Sequence, residues 1–291
     1  MGIPEPTIAA VGDCGSMLPA TEGLWCLPLS FSANAPKRRM VRNAPALLSR
    51  VPVVDGETSS QGSVHDGSIE IGRGEIHLWF VQLELMREAL SAMAESLDPG
   101  ERDRAARRRF EPHRNQYVAA HGALRRVLSA YLGLPAGDIR YASQPFGRPQ
   151  LAPVINPGSL DFSLSHSGGL AVVAVAGERR VGVDVEELRD LRLEHELAEQ
   201  TLSAAEWAEW RRYPAEVRTR AFLRLWTRKE ACLKVDGRGL RRDLRQVPVG
   251  SDMDGGLRWS RVTPYGHGQP GWAVCSLEVI PGYMASVAVA Q

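Results

Sequence analysis

The stretch "VGVDVEEL" (residues 181–188) decides the fold. Side chains alternate across a strand, so Val181, Val183 and Val185 share one face while Gly182, Asp184 and Glu186 share the other. The valines predict a buried strand, and the alternation projects two carboxylates from one face about 7 Å apart. Like charges that close repel each other unless a cation, a basic group or water lies between them. The face is therefore either open to water or holds something positive.

Working backward from this strand, "LDFSLSHSGGLAVVAVAG" (160–177) reads as strand, loop and strand, with "SHSGG" (165–169) as the loop. "GRPQL" (147–151) is a turn. In "LDPGERDRAARRRFEPHRNQYVAAHGALRRVLSAYLG" (97–133), Asp98 is a cap, Pro99 takes the first helical position and Gly133 is a C-terminal stop, which predicts helices. "EIHLWFVQLEL" (75–85) alternates as a strand does.

Working forward, Ser203 and Glu206 in "TLSAAEWAEW" are spaced as a capping box. A strong helix is expected over 219–235, with Gly237 ending it. "GWAVCSLEVIPGYMASVAVA" (271–290) gives two strands around Pro281-Gly282. Each half thus offers a strand, a long helix and a closing strand pair. The expected class is α+β, two similar α/β halves in one chain, over 75–180 and 181–291.

Residues 1–74 read differently. "NAPKRRMVRNAP" and "DGETSSQGSVHDGS" hold no sustained period of 3.6 or 2, which predicts a disordered N-terminal extension. Its basic run at 37–42 reads as a solvated charge run rather than a targeting patch.

Among 291 residues, 44% are hydrophobic and 24% charged, the balance of an ordinary globular protein with a substantial core. A formal net charge of +1 argues against a protein that coats nucleic acid. No apolar run is long enough to span a bilayer and no secretory signal is evident, so the expected location is the cytoplasm. Cys14, Cys26, Cys232 and Cys275 lie far apart without metal-site spacing, and free thiols are expected. Trp207, Trp210, Trp226, Tyr117 and Leu124 fall at helical spacings suited to core packing.

In "LWTRKEACLK" (225–234), Glu230 and Lys234 are four apart on one helical face, with Lys229 beside them. Taken with Asp184 and Glu186, this is the composition of a magnesium site holding a phosphorylated ligand, since Mg²⁺ prefers hard oxygen ligands and lysines offset phosphate charge. The plain alternative is a solvent-facing Glu230–Lys234 ion pair worth about 0.3 to 0.5 kcal/mol. Spacing alone does not bring this helix to the strand.

"GVDVEEL", "FSLSHSGG" and "RLWTRKEACLK", in this order and spacing, resemble the 4′-phosphopantetheinyl transferases, particularly the larger surfactin-synthetase-activating type. The upstream "FGRP" (146–149) and the terminal "EVIPGYMASVAVA" (278–290) are similar too, so the likeness runs from about residue 75 to the end. It implies a pseudo-symmetric pair of α/β halves binding coenzyme A and Mg²⁺ in the cleft between them. It also implies an activity: transfer of 4′-phosphopantetheine from coenzyme A to a serine of an apo acyl or peptidyl carrier protein, with release of adenosine 3′,5′-bisphosphate.

By that likeness Asp184, Glu186 and Glu230 match metal-binding acids, and Glu230 also matches a proposed general base. Lys234 matches a lysine on the pyrophosphate, Ser165 and His166 a phosphate-contacting loop, and Arg148 a residue lining the nucleotide site. As an isolated motif "SHSGG" is more often only a turn between strands. "ERDRAARRRFEPHR" (101–114) holds six arginines, most of them read as a solvated face. The family's corresponding region contacts the 3′-phosphate of coenzyme A, but the arginine expected there is replaced by Gln116, with His113 and Arg114 nearby. With both halves in one chain, a monomer is expected. A metal-dependent phosphodiesterase would share the acids yet call for a more basic surface, and a coenzyme A binding protein without turnover would not need all three acids.

Overall fold

The computed structural model describes residues 69–72, 74–142, 148–156, 160–192, 194–237, 243–250, 258–263, 271–278 and 280–291, together with strand backbone at 24–30 and 49–50. The strands are β1 (Leu24–Ser30), β2 (Ser49–Arg50), β3 (Glu75–Gln82), β4 (Tyr141–Ala142), β5 (Gln150–Leu151), β6 (Leu160–Ser167), β7 (Leu170–Gly177), β8 (Val181–Glu187), β9 (Trp259–Val262), β10 (Trp272–Leu277) and β11 (Tyr283–Ala290). The helices are α1 (Leu90–Ser96), α2 (Pro99–Ala106), α3 (Glu111–Leu132), α4 (Glu194–Thr201), α5 (Ala204–Trp210) and α6 (Ala215–Asp236).

Two antiparallel sheets result, one in the order β2-β1-β3-β7-β6 and the other β8-β11-β10-β9, with β4-β5 as a separate small ladder. The parity read from "VGVDVEEL" explains how they pack. Val181, Val183 and Val185 join Leu78, Phe80, Val172 and Ala174 of the first sheet in one buried cluster between the sheets. On the first sheet's other face, Trp79, Val81 and Val175 pack against Ala120, Leu124 and Leu128 of α3. On the second sheet's other face, Val274, Met284 and Ala288 pack against Phe222, Leu225 and Leu233 of α6. The layers run helix, sheet, sheet, helix, so both faces of each sheet are covered and β7 is buried along its whole length. The mixed α+β class follows, with a 22-residue helix on the outer face of each sheet.

Helix ends form where the sequence places them. Asp98 and Glu101 complete a reciprocal capping box at α2, as Ser203 and Glu206 do at α5. Gly133 and Gly237 end the two long helices in the left-handed region, at φ 64° and 75°. The helix expected over 219–235 starts one turn earlier, at Ala215.

Three expectations are corrected. "SHSGG" is not a five-residue loop: Ser165, His166 and Ser167 are the last residues of β6, and only Gly168-Gly169 turn the chain into β7. The sheet ladder pairs Ser167 with Leu170 across that turn, and Gly168 supplies the positive φ of 55° that a two-residue turn needs. The strand begun at Glu75 stops at Gln82, where a 3-10 helix over Leu83–Ala89 takes over. Within the region expected to lack regular structure, Leu24–Ser30 is a strand paired with β3 from Leu24↔Val81 to Ser30↔Glu75. Its pairing partner lies about fifty residues downstream, and it holds Pro28, a residue that cannot donate to a ladder. The basic run at 37–42, Cys14 and Gly147 lie outside the described residues. Cys232 and Cys275 are buried thiols. Trp210, Tyr117 and Leu124 are buried, while Trp207 and Trp226 pack half-buried on the same core as α6.

Candidate active site

β6 and β8 are edge strands of their respective sheets, and these two edges meet. The seam is closed by side chains of β6 rather than by a backbone ladder. Every second residue of β6 points at β8: Asp161 accepts from the Val181 N–H at 2.7 Å, Ser163 from the Val183 N–H at 3.1 Å and Ser167 from the Glu187 N–H at 3.2 Å. Ser165 and Ser167 also donate, to Asp184 Oδ1 at 2.8 Å and Glu186 Oε2 at 2.7 Å. Otherwise orphaned donors of an edge strand are thereby satisfied, and the two carboxylates are held by the neighbouring sheet.

The other wall is α6. Gly182 lets the helix approach β8, and Lys234 then donates to Asp184 Oδ1 at 2.8 Å and to the Val183 carbonyl at 2.9 Å. Glu230, one turn before Lys234, is carried to the same place. Asp184 is 5% exposed. Its Oδ2 and the Oε1 of Glu230 are buried with no hydrogen-bond partner. Burial raises the Glu230 carboxyl to about 7, with the charges of Asp184 and Glu186 adding to the rise and Lys234 opposing it. Burial also raises Glu186, and Asp184 adds to that while Ser167 works against it. The acids thus repel one another across a space that the serines and Lys234 only partly compensate.

Around the turn at Gly168 lies a cationic side. His166 is pushed down to about 4 by burial first, and further by its neighbours His121, Arg108 and Lys234. His121 stacks on Tyr117 with ring centroids 4.0 Å apart and bonds Glu101 Oε1 at 3.2 Å. The Arg108 guanidinium lies 4.7 Å over the Tyr117 ring. Gln116, standing where a basic residue was expected, donates to the Gly168 carbonyl at 3.0 Å. Arg148 sits at the opposite end of the seam, where it donates to Asp161 Oδ2 at 2.6 Å and to the carbonyls of Phe162 and Val181. Its Nη1 is buried without a partner.

Comparison with known proteins decides the family. The description "4′-phosphopantetheinyl transferase superfamily" matches residues 180–279, which contain β8 and α6. The chain is 32% identical to the 4′-phosphopantetheinyl transferase HetI of Nostoc sp. (strain PCC 7120) over 216 residues, 74% of this chain and 88% of the relative. The chain belongs to the 4′-phosphopantetheinyl transferase superfamily. It is also 26% identical to the transferase Sfp of Bacillus subtilis (strain 168) over 73% of this chain and 90% of that protein. With AcpT of Escherichia coli (strain K12) it shares 34% over half of its own length.

In this transferase Asp184, Glu186, Glu230, Lys234 and Ser165 gather at the seam, His166 stands on the other face of β6 toward His121 and Arg108, and Arg148 is engaged some distance along the seam. Among the described residues no three Asp, Glu, His or Cys groups stand close enough to ligate a metal ion as arranged. As arranged, Asp184 Oδ1 accepts from Lys234 and Ser165, and Glu186 Oε2 from Ser167. The donor set itself suits a hard cation, with two buried carboxylate oxygens lacking any partner and two acids raised first by burial and then by the charge of the neighbouring acids.

Sequence reasoning missed Ser167 and the role of Asp161 in the transferase's seam. The signal was present, since Asp161, Ser163, Ser165 and Ser167 alternate along a strand, but alternation does not say what the polar face meets. Glu101 and His121 were likewise not singled out; their pairing spans 20 residues and two helices.

Proposed function

We propose that this transferase moves the 4′-phosphopantetheine arm of coenzyme A onto a serine of an apo acyl or peptidyl carrier protein, dependent on Mg²⁺, with release of adenosine 3′,5′-bisphosphate. The observation that carries the reading is the meeting of Asp184 and Glu186 from β8 with Glu230 and Lys234 from α6. The printed names of the relatives support the same reaction class.

The residues divide by chemistry. Glu230, on α6 beside Asp184 and Lys234, is suited to take the proton from the carrier serine as its oxygen bonds to phosphorus. Lys234 donates toward the pyrophosphate oxygens, where negative charge builds as the bond to the departing adenosine bisphosphate breaks. A magnesium ion held by Asp184, Glu186 and Glu230 would supply further stabilisation of that charge. Binding it would draw Asp184 Oδ2 and Glu230 Oε1, the partnerless oxygens, into use. Ser165 fixes Asp184, and His166 faces the phosphates from the cationic side. Arg148, through its unused Nη1, lines the nucleotide end. Glu206 and Lys229 brace α6 from behind and touch no substrate.

No helix among the described residues is long and apolar enough to cross a membrane. The proposed setting is a cytoplasmic monomer with coenzyme A and a carrier protein as partners, needing neither nucleic acid nor lipid. The two halves carry all the proposed residues in one chain.

The test is incubation with coenzyme A, MgCl₂ and apo carriers of the fatty-acid, polyketide and nonribosomal-peptide classes, followed by intact mass measurement of the carrier. A phosphopantetheinyl mass gain that disappears with EDTA and returns with Mg²⁺ is expected. No gain on any carrier would overturn the reading.

A further inference from the structure

Between α2 and α3 the chain turns through "ARRRFEPHR" (106–114), and the turn is exposed throughout. Phe110 is 64% exposed, the one aromatic among the large hydrophobic side chains exposed in the described residues. It is the N-cap of α3 without serving as a side-chain cap, and its ring meets that of His113 edge-on, with ring centroids 5.7 Å apart. Helix formation does not explain an aromatic there. Arg107, Arg108, Arg109 and Arg114 flank it in the sequence, and among the described residues none of the four has a carboxylate in ion-pair range. The Arg114 side chain spends one donor on the Arg108 carbonyl at 3.4 Å.

An exposed aromatic ring in a turn that carries four arginines and one acid, Glu111, has the composition of an interface centre and its rim: an aromatic anchor with arginines near it. The corner also stands at the edge of the reaction cleft. Arg108 lies over Tyr117 and its charge reaches His166, while Gln116, less than two turns along α3 from Phe110, is bonded to the Gly168 turn beside Glu186 and Glu187. A macromolecule that brings a serine to Glu230 has to rest on the rim of that cleft.

We propose that the Phe110 corner is the docking surface for the carrier domain, and that the carrier face seated on it presents carboxylates around an apolar spot. Charge complementarity selects this occupant: four arginines with no carboxylate in ion-pair range among the described residues favour an acidic face, and the exposed ring fits an apolar depression in it. A free phosphate would pair with the arginines but leave Phe110 in water. The assignment rests on the proposed transferase reaction.

The test compares Phe110→Ala and the double variant Arg107→Glu/Arg109→Glu with the unaltered protein, whose conversion of apo carrier to holo carrier must first be seen. That control separates failure of the transferase reading from failure of this one. The carrier KM is expected to rise about tenfold or more in each variant, with kcat at saturating carrier and the Kd for coenzyme A unchanged. Added salt should raise the carrier KM of the unaltered protein and do so less in the double variant. An unchanged carrier KM, or a Kd for coenzyme A that weakens as much as the carrier KM, would overturn the proposal. So would a concentration-dependent dimer of the unaltered protein that the variants lose while the carrier KM holds, since that would make a second copy the occupant.

Discussion

Gly182 and Ala231 meet with no room between strand and helix: a Cβ on Gly182 would lie 2.1 Å from the Ala231 carbonyl oxygen and 2.9 Å from the Val235 N–H nitrogen. The neighbouring atoms are backbone, which cannot swing aside. This contact sets how closely α6 lies on β8, and Glu230 and Lys234 flank Ala231 on the helix. Gly182→Ala should therefore push α6 outward and separate Lys234 from Asp184. We expect a loss of about 1 to 3 kcal/mol by urea unfolding, together with a fall in transfer activity larger than the stability loss explains. Full activity with unchanged stability would show that the helix can retreat without moving the site.

Asp184 links three elements through one oxygen, taking hydrogen bonds from Ser165 on β6 and Lys234 on α6. Asp184→Asn keeps the volume and removes the charge. Lys234 retains the Val183 carbonyl, so the fold should persist, with a stability change of about 1 kcal/mol or less. Transfer should fall by about a hundredfold or more, read as holo carrier formed per minute by mass. Retention of most activity would remove Asp184 from the reacting centre.

Lys229 is fully buried and spends its donors on Glu206 at 2.7 Å, the Leu244 carbonyl at 3.0 Å and the Val247 carbonyl at 2.6 Å. Glu206 in turn accepts from the backbone of Ser203 and Val249. Lys229→Met leaves a buried carboxylate without its cation and should cost about 3 to 5 kcal/mol in denaturant unfolding. The double variant Lys229→Met/Glu206→Gln should recover part of that loss, and additive losses would argue against the coupling.

Acid stability offers a separate check through Glu101. Burial acts to raise this carboxyl, but bonds from His121, the Asp98 backbone and Arg125, with the Arg125 charge, outweigh it and hold the group below its ordinary value of 4.5. A group depressed in the folded state contributes stability above its unfolded pKa and loses it as pH falls through the folded one. Glu101→Gln keeps an acceptor for the Asp98 N–H but leaves Arg125, which is fully buried, short of a charge partner. The variant should be about 3 kcal/mol less stable at pH 7, with a shallower decline in stability from pH 5 downward than the unaltered protein. Parallel acid slopes would mean that Glu101 titrates normally.

Much of this arrangement was legible in local spacing. The alternation of Val181, Val183 and Val185 against Gly182, Asp184 and Glu186 fixed which face of β8 was core and which bore acids, because the period of a strand follows from its pleat alone. The capping boxes at Asp98 and Ser203 and the terminators Gly133 and Gly237 could be read for the same reason: each is a contact within four residues. The question of what lay between the two carboxylates could be posed from sequence and only partly answered.

The tertiary structure decided the rest. Nothing in the spacing of "LDFSLSHS" says that its alternate serines close a seam with β8, that Ser165 reaches Asp184, or that Arg148 clamps Asp161. Nor does the sequence of 24–30 announce a strand whose partner is β3. These contacts join residues about 13 to 57 positions apart, and their formation depends on how two sheets and two helices stack, which burial of apolar surface governs without regard to sequence neighbourhood. The sequence by itself determined the elements and the face on which each acid stands; packing alone decided which acids, lysine and serines would meet.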